Sequence, residues 1–265
     1  MLAMMPRFGE QYKNDSDLAS QVPTEIGASL LPSMRVEDRN EGQVSVVIPT
    51  LNAAETLPAL LAQLRCSTIL KEIIVVDGGS SDQTVAIAAA AGARVIKAAR
   101  GRGIQLAAGA DDAAADWLLF LHADCRLAAG WEASIAAFLG APEGTSRAGY
   151  FDFALDDDAP TARRLERLVA WRCRLVALPY GDQGLLIPRG LYHQVGGFAR
   201  LPLMEDVDLV RRLGRRRLAR IAARCITSSK RYRREGYWLR SMRNLVCLSL
   251  YFAGVPPHRI ARLYG

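Results

Sequence analysis

Leu118-Leu119-Phe120-Leu121-His122-Ala123-Asp124 sets four large apolar residues directly before an imidazole, a small residue and a carboxylate. An unbroken apolar run of this kind reads as a strand buried on both faces. Polar groups where such a strand runs out stand where open α/β sheets place their ligands. A carboxylate there can hold a hard divalent cation against a diphosphate, sharing oxygen ligands between protein and phosphates. Asp124 is the candidate for that task.

Upstream of this run the chain alternates strand and helix. Val44-Ser45-Val46-Val47-Ile48-Pro49 is β-branched and stops at a proline, and Thr50 to Leu57 carries cap-type residues into an apolar helical pattern through Leu64. Ile73-Ile74-Val75-Val76 ends in Asp77-Gly78-Gly79-Ser80-Ser81-Asp82, then an Ala-rich helix covers Thr84 to Ala91. Arg94-Val95-Ile96, the loop Arg100-Gly101-Arg102-Gly103 and a helix from Ile104 to Ala113 follow. This order defines an α/β chain with a mostly parallel, doubly wound sheet and right-handed crossovers.

Downstream, Trp131 to Leu139 reads as a helix and Gly149 to Phe153 as a strand. Pro160 to Leu178 is an amphipathic helix with Leu165, Leu168, Leu175 and Val176 on one face. The glycine-bracketed loop Tyr180-Gly181-Asp182-Gln183-Gly184 leads into the strand Leu185-Leu186-Ile187. Met204-Glu205-Asp206-Val207-Asp208-Leu209 opens a helix that ends in arginines, and two helices broken by Pro256-Pro257 close the chain. Residues 1–41 mix polar residues and proline without period and read as a disordered tail. The expected organisation is this tail, one α/β domain over 42–225 and a C-terminal helical extension over 226–265.

A chain of 265 residues, 50% hydrophobic and 23% charged, suits one sizeable globular core and argues against a disordered or fibrous protein. The net charge is +7, and from Arg211 to Arg243 the one acid is Glu235. Such a field favours an anionic partner: a nucleotide diphosphate, an acidic membrane surface or nucleic acid. Five scattered cysteines without C-x-x-C spacing point to a reduced, cytosolic setting. Met1 to Arg7 lacks the pattern of a secretory signal, and the apolar stretch Leu245 to Val255 is too short to span a bilayer.

The segments VSVVIPTLNAAETL (44–57), IIVVDGGSSDQT (73–84), LLFLHADC (118–125), GDQG (181–184) and MEDVDL (204–209), in this order, resemble family 2 glycosyltransferases of the GT-A fold. The likeness is greatest to a bacterial branch with His-Ala-Asp in place of Asp-x-Asp. It implies that Asp77 reads the nucleotide base and that Pro49, Thr50, Asn52 and Glu55 contact base and ribose. Arg100, Arg102 and Gly103 would face the anionic donor, and His122 would reach ribose or supply a nitrogen ligand. Asp124 would ligate Mn²⁺ or Mg²⁺, Asp182 and Gln183 would meet the acceptor, and Asp206 beside Glu205 would be the general base.

The implied reaction is inverting transfer of a sugar from a nucleotide-diphosphate sugar to an acceptor hydroxyl, with a UDP-sugar favoured and GDP-mannose next. Trp238, Leu239, Met242, Leu245, Val246 and Tyr251 stand apart from Arg240, Arg243 and Asn244, as in a helix lying in a membrane interface. Peripheral contact with the inner face of the cell membrane and a lipid acceptor therefore stay open, beside simple packing of that helix on the core. A sugar nucleotidyltransferase is one alternative, although Val44 to Thr56 lacks the Gly- and Lys-rich phosphate loop it would want. A non-catalytic nucleotide- or membrane-binding module using the basic tail is the other, and it gives no reason for acids at Asp77, Asp124 and Asp206. Nucleic acid is not an expected partner.

Overall fold

The computed structural model describes residues 43–142 and 144–264; the tail expected over 1–41 lies outside them. The strands are β1 (Val44–Thr50), β2 (Leu70–Asp77), β3 (Arg94–Lys97), β4 (Trp117–Phe120), β5 (Cys125–Leu127), β6 (Ala148–Leu155), β7 (Leu185–Pro188) and β8 (Leu218–Thr227). They form one sheet in the order β3-β2-β1-β4-β7-β6-β8-β5. Strands β3, β2, β1 and β4 run parallel, β7 runs antiparallel between β4 and β6, and β8 is parallel to β6 but antiparallel to β5. The mostly parallel α/β architecture is as expected.

The helices are α1 (Leu57–Leu64), α2 (Thr84–Ala90), α3 (Arg102–Asp112), α4 (Trp131–Leu139), α5 (Pro160–Val176), α6 (Arg189–Gln194), α7 (Glu205–Leu213), α8 (Lys230–Glu235), α9 (Tyr237–Phe252) and α10 (Pro257–Tyr264). They cover both faces of the sheet, and β4 shows why its sequence is apolar throughout. Leu119 and Leu121 pack in one layer with Leu57, Leu61 and Ile135, while Leu118 and Phe120 pack in the other with Leu106, Leu191 and Leu209. A period of two, apolar on both phases, fills both layers.

Two features differ from the sequence reading. Strand β8 was hidden in the arginine cluster: Ile221, Ala223 and Cys225 face inward while Arg220 and Arg224 alternate with them outward. The boundary expected at 225 therefore falls inside a strand, and the C-terminal helices follow the sheet without a break. In α5 the small residues Ala162, Val169 and Cys173 are buried against Tyr150, Phe153 and Leu155 of β6. A stripe of small side chains lets the helix seat on the sheet, leaving Leu168, Trp171, Leu175 and Val176 exposed. Among the described residues no helix is long and apolar enough to cross a membrane.

Candidate active site

The parallel strands β2, β1 and β4 end on one edge of the sheet, and a cleft opens there. Pro49, Thr50, Asn52, Arg100, Arg102, His122 and Asp124 line it, with Gln105 from α3 and Arg231 from α8. Asn52 holds a left-handed backbone, φ 52°. Its Oδ1 accepts the Ser81 N–H at 2.8 Å and its own N–H donates to Ser80 Oγ at 2.8 Å, tying the loop after β1 to the loop after β2.

Asp77 lies beneath this cleft rather than in its wall. It is 2% exposed. Its Oδ2 accepts the N–H groups of Gly79 and Ser80, both at 2.9 Å, and its Oδ1 accepts the hydroxyls of Ser80 at 2.5 Å and Thr50 at 3.4 Å. Burial pushes this carboxyl up, but those hydrogen bonds outweigh it and hold it below the ordinary carboxylate range. These bonds tie the Asp77 carboxylate into the turn that follows β2, at the floor of the cleft.

Two more residues sit elsewhere than the family likeness implies. Glu55 is exposed and does not line the cleft itself, but it pairs with Lys230, which does. Gly103 is buried in the first turn of α3, where an added Cβ would stand 2.3 Å from the Ala199 carbonyl oxygen, so its role is close backbone approach.

Beside the cleft, and sharing Arg102, His122, Asp124 and Arg231 with it, is a second pocket walled by Asp182, Asp206, Tyr180, Tyr232, Arg240, Asn244 and Tyr264. Asp206, in the first turn of α7, is fixed by the Gly181 N–H at 2.6 Å to Oδ2 and the Val207 N–H at 2.7 Å to Oδ1. Gly181 is where His122 and Asp206 converge: a Cβ there would meet His122 Nε2 at 2.9 Å and Asp206 Oδ2 at 3.2 Å. Only glycine lets both side chains close on this loop.

Burial and the neighbouring Arg102 and Arg231 guanidiniums hold His122 well below the usual imidazole range, so it is neutral near pH 7. Burial pushes the Asp182 carboxyl up to about 6, against Arg172 and with help from Asp206 and Asp124. Its Oδ1 is buried without a hydrogen-bond partner. Gln183 is 1% exposed and turned away: its amide donates to the Phe151 carbonyl at 2.9 Å and accepts the Tyr180 N–H at 3.2 Å. It supports the loop from inside and does not line this second pocket.

Among the described residues no three His, Cys, Asp or Glu side chains gather into a complete metal cage. The donor set nevertheless fits a cation that arrives with its substrate. Asp124 supplies a carboxylate to both pockets and the neutral His122 offers a nitrogen; the remaining positions of such an ion would go to water and to oxygens of a bound ligand.

Glu205 stands beside Asp206 in the first turn of α7, 1% exposed, with Arg102 Nη1 at 3.5 Å from its Oε1. Burial pushes its carboxyl up to about 7, against Arg102 and with Asp206 adding to the rise. An unfolded chain ionises this group near 4.5, so the folded state binds the extra proton between there and about 7. Its contribution to stability is present at acid pH and is lost as pH rises through that window. Glu205→Gln keeps the neutral form, so by pH 8 the variant should gain on the order of 2–3 kcal/mol relative to wild type in urea unfolding, and much less at pH 5. An equal difference at both pH values would contradict the buried, protonated state.

Several lining residues have weak sequence signals. Gln105, 4% exposed, donates to the carbonyls of Thr50 at 2.8 Å and Val76 at 2.7 Å, clamping the ends of β1 and β2. Its one hint is a lone amide in an Ala-rich helix. Arg231, Tyr232, Arg240, Asn244 and Tyr264 come from the C-terminal helices, whose polar inner face was legible as a pattern but not as a wall of the site.

The fold is shared with solved structures. S. aureus TarS 1-349 aligns with a TM-score of 0.58 at 17% identity, over 84% of this chain and 69% of that one. Mannosyl-3-phosphoglycerate synthase from Rubrobacter xylanophilus aligns with a TM-score of 0.54 at 19% identity, over 80% and 75%. The class defined by this sheet and its strand-end cleft is the GT-A-like α/β fold. The Glycosyl transferase family 2 model matches residues 45–199, more than half of the chain, and the chain belongs to that family. A PGL/p-HBAD biosynthesis glycosyltransferase of Mycobacterium tuberculosis (strain ATCC 25177 / H37Ra) is 40% identical over 116 residues, 37% of this chain and 42% of the relative. The chain thus spans less than half the length of the curated relatives it matches.

Proposed function

We propose that this chain transfers a sugar, with inversion, from a nucleotide-diphosphate sugar to an acceptor hydroxyl. A UDP-sugar is the favoured donor and GDP-mannose the next. The observation that carries this reading is that Asp124 and Asp206, far apart in sequence, open into the same pocket. Asp206 takes the acceptor proton as its oxygen attacks the anomeric carbon, and the bond from that carbon to the diphosphate oxygen breaks. The two backbone N–H groups on Asp206 fix the direction from which it accepts that proton. Asp124 and His122 would hold Mn²⁺ or Mg²⁺, which when bound neutralises the leaving diphosphate. Arg102 and Arg231 add positive charge along the same cleft. Solved complexes of TarS 1-349 contain UDP-GlcNAc and UDP, in keeping with a uridine donor here.

A thermal-shift panel of UDP- and GDP-sugars, with and without Mn²⁺, tests the reading. One nucleotide series should stabilise the protein, and more so with the cation. No stabilisation by any of them would remove the donor site.

A cytoplasmic location with peripheral contact on the inner face of the cell membrane is part of the same proposal. The outward side of α9 carries Trp238, Leu239, Leu245, Val246 and Phe252, all exposed, and α5 beside it presents Leu168, Trp171 and Leu175 among Arg164, Arg167 and Arg174. Interfacial tryptophans with flanking arginines suit an anionic lipid surface. Flotation with anionic vesicles should recover the protein at low salt and lose most of it at high salt. Protein left at the bottom of the gradient at low salt would make these faces contacts for something other than lipid.

A further inference from the structure

We propose that the acceptor is a hydroxyl compound bearing an anionic group, a phosphate or carboxylate, and that Arg240 receives that group with Asn244 beside it. The inference rests on the transferase reading of the same cleft. Arg240 is 6% exposed, and a cation so buried is costly unless it is paired. Its acidic partner is Glu235, reached at 3.4 Å, and that one carboxylate also serves Arg243 at 2.9 Å and Arg234 at 3.3 Å. Three guanidiniums share that one carboxylate, and of the three Arg240 alone lines the pocket. The Tyr264 ring lies 4.5 Å beneath the Arg240 guanidinium and backs it without neutralising it.

The placement separates Arg240 from the donor. Arg102 and Arg231 line both clefts, whereas Arg240 lines the acceptor-side pocket without reaching the donor cleft. The cations that act on the Asp182 carboxyl are Arg172 and Arg102, so the acidic part of the pocket has its own counter-charges. Asn244, one turn along α9, has its Oδ1 buried with no hydrogen-bond partner and needs a donor. A ligand with an anion for Arg240 and a hydroxyl for Asn244 satisfies both, while a second hydroxyl meets Asp206. Tyr180, Tyr232 and Leu248 enclose its body, and the cavity of about 120 Å³ suits a compact head group. That chemistry is offered by a free polyol phosphate and equally by the head group of an anionic glycerophospholipid.

The full chain, with and without saturating UDP and Mn²⁺, is titrated with sn-glycerol 3-phosphate and with glycerol, and separately with phosphatidylglycerol and phosphatidylcholine vesicles. The readout is the ratio of affinities for the anionic and neutral member of each pair, so a general loss of binding does not count. Wild type should favour the anionic member by about 10- to 100-fold, the value of a charge-assisted hydrogen bond. Arg240→Gln should bring that ratio close to one, and Arg240→Lys, which keeps the charge, should restore much of it. Preference in the soluble pair assigns a free acceptor; preference confined to vesicles and lost in Arg240→Gln assigns a lipid head group. A ratio near one in wild type for both pairs, or one unchanged in Arg240→Gln, overturns the proposal. Arg240-dependent preference in a chain that binds neither UDP nor any other nucleotide would keep the anion site and overturn the transferase reading instead.

Discussion

Asp206→Asn should cut sugar transfer about 10²- to 10⁴-fold, the range supplied by a positioned general base, and leave nucleotide affinity within about twofold of wild type. The side chain accepts one backbone N–H on each oxygen, from Gly181 and from Val207. Asparagine keeps one acceptor oxygen and puts an NH₂ group where the other stood. One of the two N–H groups then loses its partner, at a cost of about 1–3 kcal/mol in stability. The measurement is therefore kcat alongside the unfolding midpoint and the affinity for nucleotide. Loss of kcat without loss of nucleotide binding fits the base assignment. An equal fall in donor affinity would show that Asp206 holds the donor and that the base is elsewhere.

Asp124→Asn should abolish the part of nucleotide binding that depends on the divalent cation. A ligand at about a hundredfold excess over its dissociation constant stabilises the folded state by about 2.7 kcal/mol. Wild type with UDP and Mn²⁺ should show a gain of that order, and the variant should show little more than it gains from UDP alone. His122 cannot compensate, because a single neutral imidazole lacks the charge that offsets a diphosphate-bound cation. An undiminished Mn²⁺ increment in Asp124→Asn would move the cation away from the end of β4.

Much of this was legible in the chain itself, for identifiable reasons. The run Leu118 to Leu121 is buried in both layers, and α4 spans Trp131–Leu139 as its pattern indicated. Strong local periodicity marked those elements, and the family likeness pointed to Asp77, Asp124 and Asp206 around one cleft; Asp124 and Asp206 do share a pocket, with Asp182, and Asp77 does not line it. Where reading failed, local pattern pointed one way and tertiary contacts the other. Arginines on alternate positions disguised β8 as a charge cluster, although the inward Ile221, Ala223 and Cys225 carried the period of a strand. In α5 the large apolar residues looked like the packing face, but the smaller Ala162, Val169 and Cys173 let the helix reach the sheet.

The fate of individual polar groups was harder still to read. Asp77 and Gln183 are apt ligand-binding side chains, yet their hydrogen bonds are spent inside the protein, on their own loops and, for Gln183, on the β6 backbone as well. Nothing in the local sequence distinguishes an acid that serves a turn from one that serves a ligand. Arg240 presents the opposite case. It reads as part of a solvated basic face, and it is among the most buried charged side chains in the described chain because α9 and α10 fold back over α7.

The central claim is that a divalent cation at the end of β4 and a proton acceptor on α7 work on one substrate between them. The most direct measurement is an anomalous-difference map from crystals of the protein grown with UDP and Mn²⁺. The expected result is a manganese peak within coordination distance of the Asp124 carboxylate and the nucleotide diphosphate, with the Asp206 carboxylate facing the same space and free of the metal. A peak away from Asp124, or a nucleotide bound outside the cleft between Thr50 and Asp124, would contradict the account.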